Sequence, residues 1–117
     1  MVLASAGMTG MNGTLLALVL AAVLEIGGDA AIRTGLVRGA AGWLAVGALT
    51  LVAYGFAVNA NRTIDFGRLM GAYIAVFFVV SQAISWAAYG ETPSWSLLVG
   101  GALIVIGGAM IQLGAAS

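Results

Sequence analysis

The sequence predicts an all-α integral membrane protein, a single domain of four transmembrane helices over residues 14–117. The first observation is composition: 62% of the 117 residues are hydrophobic and 7% are charged, whereas soluble domains carry roughly 25% charged residues. The second is the placement of the charges, which leaves the uncharged stretches 1–24, 39–61, 69–90 and 92–117. Each stretch is at least as long as the ~20 residues that span a hydrocarbon core. Four transmembrane helices follow.

Two other interpretations of these stretches fit poorly. A soluble helical bundle of this size needs polar stripes on the outer faces of its helices, and the four stretches have almost none. A signal peptide would explain the apolar run at 15–24, but no Lys or Arg precedes that run and no clear small-residue cleavage site follows it. The first stretch is therefore expected to be a membrane span.

Helix 1 is predicted over about residues 14–35. The preceding residues 1–13 contain several glycines and are expected to form a loosely ordered tail, with Thr14 starting the helix. An alternative first span over about 4–24 would leave Glu25 at the membrane surface. The glycines of the tail make that alternative a poor span.

The remaining helices are predicted over about 41–60, 66–88 and 94–115. The loops between them carry the polar and turn-forming residues of the chain: Gly35, Arg38 and Gly39 in loop 1, Asn59, Asn61, Arg62 and Asp65 in loop 2, and Gly90, Glu91, Thr92 and Pro93 in loop 3. Such loops mark turns. Because they are short, sequential helices must run antiparallel, in an up-and-down bundle.

The arginines give no preferred orientation in the membrane. Loop 2 and both termini share one side, with Arg62 and Arg68, while the other side has Arg33 and Arg38. Short loops with more Lys and Arg stay in the cytoplasm, and here the count is two against two. Insertion in both orientations is one expectation; the other is that N-terminal features or the depth of the arginines decide.

Glu25 is the most informative residue, because it falls near the middle of helix 1. A charged side chain at that depth costs from about 2.5 kcal/mol upward, so it normally faces the protein interior and has a function. Hydrocarbon disfavours the ionised carboxylate. We therefore expect Glu25 to exchange a proton for a cation.

Asp29 and Arg33 follow Glu25 at successive intervals of four residues, so the three side chains share one helix face. In a purely structural interpretation, Asp29 pairs with Arg33, which extends to the interface. In a functional one, Asp29 joins Glu25 in binding a proton or substrate. Both remain open.

Aromatic and hydroxyl residues on helices 2 and 3 offer further groups for a cation site. Aromatic faces attract organic cations, and Tyr73 is the main candidate; Thr50 and Tyr54 are candidates for the pathway. Arg68 is a further candidate, at an entrance or against lipid headgroups. The three tryptophans are expected to anchor helix ends at the interface: Trp43, Trp86 and Trp95.

The chain has 18 glycines, many of them at helical spacing. In a bilayer, small residues let helix backbones approach closely. In helix 4, Gly100 with Gly107 and Gly101 with Gly108 form two pairs seven residues apart, and we expect them to make a dimer contact. In helix 3, Gly67 and Gly71 are expected to pack within one monomer, although neither assignment excludes the other.

These motifs resemble the small multidrug resistance transporters and, more closely, their YnfA-like relatives. The segment LEIGG at 24–28 is similar to the helix 1 signature in which Gly follows Glu by three positions, and FGRLMGAY at 66–73 is similar to the helix 3 motif of the YnfA-like group. A third set of residues resembles the end of helix 3 and the dimerising helix 4 of the exporters: Ser85, Trp86, Gly90, Gly100 and Gly107.

The resemblance implies a four-helix protomer of the drug/metabolite transporter superfamily, paired as an antiparallel homodimer. It implies that Glu25 is a shared site for protons and a cationic or polyaromatic substrate, and that Tyr73 takes the position of the helix 3 tryptophan. The chain also departs from the exporters: Asp29 adds a second acid, and no tyrosine lies at Thr50.

The favoured function is therefore a proton-coupled efflux transporter of small organic cations or drugs in a bacterial inner membrane, as a multi-pass homodimer. The expected partners are a second copy, a small cationic substrate, protons and membrane lipid, with no nucleic acid. The chain has no Cys or His, and no metal, cofactor or enzymatic activity is expected. Alternatives are a lipid or metabolite flippase of the same superfamily, or an accessory subunit packing against a larger partner.

Overall fold

The computed structural model describes residues 11–60 and 62–115, and this part of the chain is helical except for short connections. The helices are α1 (Met11–Arg38), α2 (Ala41–Val58), α3 (Phe66–Tyr89) and α4 (Trp95–Ala115). All four are long and apolar enough to cross a membrane. The predicted all-α, four-span fold is confirmed.

Helix α1 is longer than the sequence predicted. It begins at Met11 and continues without a break to Arg38, so the last residues of the predicted tail are helical, while residues 1–10 lie outside the described part. At 28 residues, it is about 42 Å long. The candidate span Gly13–Arg38 contains Glu25, whereas the alternative span over about 4–24 begins outside the described residues.

The connection between α1 and α2 is shorter than predicted. Gly35 and Arg38 were expected in loop 1, but both are helical, and only Gly39 and Ala40 connect the helices. Gly39 takes a left-handed conformation with φ 64°, which suits glycine at a helix end. The amide of Ala40 donates to the carbonyl of Gly35 at 3.0 Å and closes the end of α1.

The chain divides into two units, residues 1–61 and residues 62–117. In the first hairpin, α1 and α2 approach so closely at glycines that side chains have no room. A Cβ atom on Gly47 would lie 2.5 Å from Ile32 Cγ1 and 2.8 Å from the carbonyl oxygen of Gly28. A Cβ on Gly28 would lie 2.8 Å from the Leu51 side chain, and one on Gly35 the same distance from that of Leu44. Glycine therefore permits near contact of the two backbones.

In the second hairpin, α3 and α4 also come into close contact at glycines. A Cβ on Gly71 would lie 2.6 Å from Ile111 Cδ1. The connection ends α3 at Gly90, which has φ 65° and donates to the carbonyl of Trp86 at 3.1 Å. The hydroxyl of Ser85 also donates to the carboxylate of Glu91.

Candidate functional site

The first hairpin places Glu25 near the midpoint of the candidate span Gly13–Arg38. Glu25 is half-buried. Ala21 and Ala22, one turn before it, are fully buried at 0% exposure, and Gly28, about one turn after it, packs against α2. The carboxylate thus emerges from the packed side of α1 at the depth where hydrocarbon penalises charge most.

Tyr54 lies level with Glu25 on the facing helix. The contacts of Gly28 with Leu51 and of Gly35 with Leu44 fix the antiparallel register of the hairpin. Three residues back from Gly28 is Glu25, and three residues on from Leu51 is Tyr54. Since residues rise equally along both helices, the two side chains start from the same level. Tyr54 is half-buried, and its phenol lies within electrostatic reach of Glu25 and also of Asp29.

The face of α1 that carries Glu25, Asp29 and Arg33 turns gradually away from the contact with α2. Glu25 is half-buried, whereas Asp29 and Arg33 are exposed. The reason is geometrical: a step of four residues along an α-helix advances by about 40° beyond a full turn. Asp29 therefore lies at the edge of the packed surface, and Arg33 lies beyond it.

Thr50 lies one turn before Tyr54 on α2. Its hydroxyl donates to the carbonyl of Val46 at 2.7 Å, which satisfies its proton but leaves the oxygen able to accept a hydrogen bond. Thr50 thus lies one turn from Tyr54, and its role in the pathway stays a prediction.

Tyr73 and Arg68 belong to the second hairpin. Tyr73 is buried at 5% exposure, and its ring lies 5.9 Å from that of Phe77 with the planes at 57°. Arg68 is exposed in the first turn of α3. The hydroxyl of Ser81, farther along α3, donates to the carbonyl of Phe78 at 2.8 Å.

The four glycines of α4 divide into two faces. Gly101 and Gly108 are buried against α3, where added Cβ atoms would collide with the side chains of Phe78 and Ala75. Added Cβ atoms at Gly100 and Gly107 would meet no other atom within 4 Å. The two predicted pairs are therefore distinct: one is occupied by packing inside the hairpin, and the other remains the candidate for a dimer contact.

From the sequence, Tyr54 was a weaker candidate for the site than Tyr73. In the structure, Tyr54 lies within electrostatic reach of Glu25 and Asp29. The signal that identifies it is its spacing of seven residues from Gly47, which places both on the side of α2 that faces α1. Among the residues that the structure describes, no group of three or more Asp and Glu residues is arranged to hold a metal ion. The candidate site comprises the carboxylates of Glu25 and Asp29 and the phenol of Tyr54.

The similarity to known proteins covers nearly the whole described chain. A family model described as "Uncharacterised BCR, YnfA/UPF0060 family" matches residues 11–117. The chain belongs to the YnfA/UPF0060 family. The resemblance to the YnfA-like group, based on the motifs around Glu25 and Tyr73, is thereby confirmed.

Three bacterial relatives of this YnfA/UPF0060 chain carry the name "UPF0060 membrane protein". The protein of Mycolicibacterium gilvum is 41% identical over 90 residues, which cover 75% of this chain and 82% of the relative. The proteins of Kineococcus radiotolerans and Streptomyces avermitilis are 40% and 41% identical, and each match covers 75% of this chain and 79% of the relative. No solved structure matches the chain. The four candidate spans agree with the membrane location in these names.

Proposed function

We propose that this YnfA/UPF0060 protein exports small organic cations in exchange for protons, like the small multidrug resistance transporters. The observation that carries the proposal is the position of Glu25, half-buried near the midpoint of the longest span and level with Tyr54. An intramembrane carboxylate of this kind is a functional residue by default.

The exchange follows from the cost of a charge at mid-membrane. An ionised carboxylate at that depth is disfavoured by about 2.5 kcal/mol or more. In the proposed exchange, the Glu25 carboxyl group binds either a proton or the substrate cation, and these two ligands compete for the same oxygens. Binding of a cation from one side of the membrane expels the proton, and protonation from the other side releases the cation.

Tyr54 contributes two groups to the proposed site. Its ring face attracts an organic cation, and its hydroxyl is able to donate a hydrogen bond to the ionised form of a neighbouring carboxylate. Since Tyr54 lies within electrostatic reach of both acids, a cation on its ring is also held by their charge. A role for Tyr73, which lies in the second hairpin, rests on the family resemblance alone.

The working unit in this proposal is an antiparallel homodimer in the inner membrane. The equal division of Arg33 and Arg38 against Arg62 and Arg68 supports insertion in both orientations. The open glycines Gly100 and Gly107 offer a surface for the second copy. Access then alternates by rocking of the helices around a site at mid-membrane. No step forms or breaks a covalent bond of the substrate, so the protein is proposed to be a transporter and not an enzyme.

Proton release from the purified protein in detergent tests the proposal. Adding tetraphenylphosphonium, an aromatic monocation without a titratable group, is expected to release protons from the wild type and none from Glu25→Gln. The matched control is Glu91→Gln, because Glu91 is exposed in the connection between α3 and α4 and should leave release unchanged. Equal release from wild type and Glu25→Gln would overturn the assignment of the proton site. Absence of release from the wild type with every cation tried would overturn the exchange itself, in favour of a flippase or an accessory subunit.

A further inference from the structure

Asp29 is the second carboxylic acid of the first hairpin, and proton exchange at Glu25 does not require it. It lies inside the candidate span Gly13–Arg38, one turn from Glu25, and its side chain is exposed. A carboxylate at this depth is not left against hydrocarbon. Its exposed side must therefore meet a polar space, such as one that a cationic ligand occupies.

Tyr54, on the neighbouring helix α2, is close enough to be influenced by both acids. Glu25 and Asp29 both act electrostatically on the phenol of Tyr54, although Tyr54 stands on α2 and at the level of Glu25. The contacts of Gly28 with Leu51 and of Gly35 with Leu44 fix this register, and the backbones are so close that a Cβ added at Gly47 would lie 2.8 Å from the Gly28 carbonyl oxygen. A ligand that lies along the Tyr54 ring is therefore within reach of two carboxylates from a defined, closely packed hairpin.

The separation of the two acids sets the shape of that ligand. Four residues of α-helix correspond to about 6 Å along the axis. A single positive charge neutralises only one of the two carboxylates. Two positive charges about one helical turn apart, joined by an alkyl linker, neutralise both carboxylates while the linker lies against the aromatic ring.

We propose that Asp29 is the specificity-determining residue of this site and that it selects linear cations with two positive charges over cations with one. The inference rests on the proposed function, because it assigns Asp29 a role beside the proton site at Glu25.

The competing role for Asp29 is neutralisation by Arg33, one turn farther along α1. In that case Asp29 holds its arginine and has no influence on the ligand. The two roles differ in their effect on selectivity, which a structural ion pair would not change.

The experiment compares two quaternary ammonium ions that have no protons of their own to release. One is tetramethylene-bis(trimethylammonium), with two charges about one helical turn apart, and the other is butyltrimethylammonium, with the same linker length and one charge. Binding and proton release are measured on the purified full-length protein. The wild type is expected to bind the dication at least about tenfold more tightly, a difference of one unit in log Kd.

The variants separate the inference from the function on which it rests. Asp29→Asn should lose the preference for the dication over the monocation, and Asp29→Glu should restore it. A preference that survives in Asp29→Asn, or a wild type without preference, would overturn the role of Asp29 while leaving proton exchange intact. Monocation-driven proton release that persists in Glu25→Gln would instead overturn the proposed function.

Discussion

Tyr54 stands level with Glu25 across the α1–α2 hairpin, and its phenol is within electrostatic reach of that carboxylate. The relationship depends on backbone packing one turn away. Gly28 and Gly47 let the helices touch, and larger residues at either position would separate them. The candidate site is therefore coupled to the glycines of the hairpin, since any change in their separation also moves Tyr54 relative to Glu25.

Gly47→Ala should destabilise the protein and impair the site. Its new Cβ would lie 2.5 Å from Ile32 Cγ1 and 2.8 Å from the Gly28 carbonyl, and the backbone oxygen has little freedom to move aside. Overpacking of this kind costs about 1–3 kcal/mol. Thermal unfolding in detergent should show a lower Tm and weaker cation binding.

Gly55→Ala is the matched control, because a Cβ at Gly55 on the same helix meets nothing within 4 Å. It should unfold at or above the wild-type temperature, since alanine favours the helix more than glycine does. Equal losses of stability in the two variants would show that the close contact at Gly47 is not what holds the hairpin together.

Tyr54→Ala should weaken binding of an aromatic cation, whereas Tyr54→Phe should keep most of it. The ring face supplies the attraction in both Tyr and Phe, and such contacts contribute about 0.5–2 kcal/mol, or roughly threefold to thirtyfold in Kd. Equilibrium binding of tetraphenylphosphonium gives the measurement. Tyr89→Ala, at the exposed end of α3, should bind as the wild type does. If Tyr54→Ala also bound as the wild type, Tyr54 would be a packing residue and not part of the site.

The sequence predicts the four helices well because all the charges except Glu25, Asp29 and Arg33 of α1 sit at or near helix ends, where water is accessible. It predicts the end of α1 poorly. Gly35 and Arg38 suggest a turn by residue type, but Gly35 serves as a contact surface for Leu44 within a continuing helix, and the true turn residue is Gly39. Glycine has both roles in membrane helices, and only the tertiary contact distinguishes them.

The site was predicted in part, for a similar reason. The energetic cost of a carboxylate at mid-membrane depth is enough to identify Glu25 as a candidate site residue from the sequence. Tyr54 becomes a partner only through the register of α1 against α2, which depends on the contacts of Gly28 and Gly35. The same holds for α4: composition groups its four glycines, whereas packing against Phe78 and Ala75 separates them into two faces.

The two faces of α4 should respond differently to substitution. Gly108→Leu should destabilise the protein, because its side chain would enter the space of Ala75. Gly100→Leu with Gly107→Leu should leave the unfolding temperature of the hairpin nearly unchanged, since both positions are open, and should reduce the dimer fraction. Light scattering on the detergent-solubilised protein, after correction for bound detergent, gives the oligomeric state. A double variant that remains fully dimeric would remove Gly100 and Gly107 from the proposed interface.

Insertion in both orientations should be sensitive to a single added charge. Arg33 and Arg38 balance Arg62 and Arg68, so one more arginine decides the side that stays in the cytoplasm. Ala60→Arg adds it next to loop 2, and Thr92→Arg adds it in the connection between α3 and α4; both positions are exposed.

Reporter fusions at the C-terminus should show mixed orientation for the wild type and opposite single orientations for the two variants. Because an antiparallel dimer needs both orientations, each variant alone should lose cation efflux, and expression of the two together should restore it. Full efflux by either variant alone, with its orientation shown to be uniform, would exclude an antiparallel pair as the working unit. Efflux that is absent even from the combined variants, with both present in the membrane, would show that the added arginines damage transport in another way, and the proposal would then depend on the Glu25 measurement.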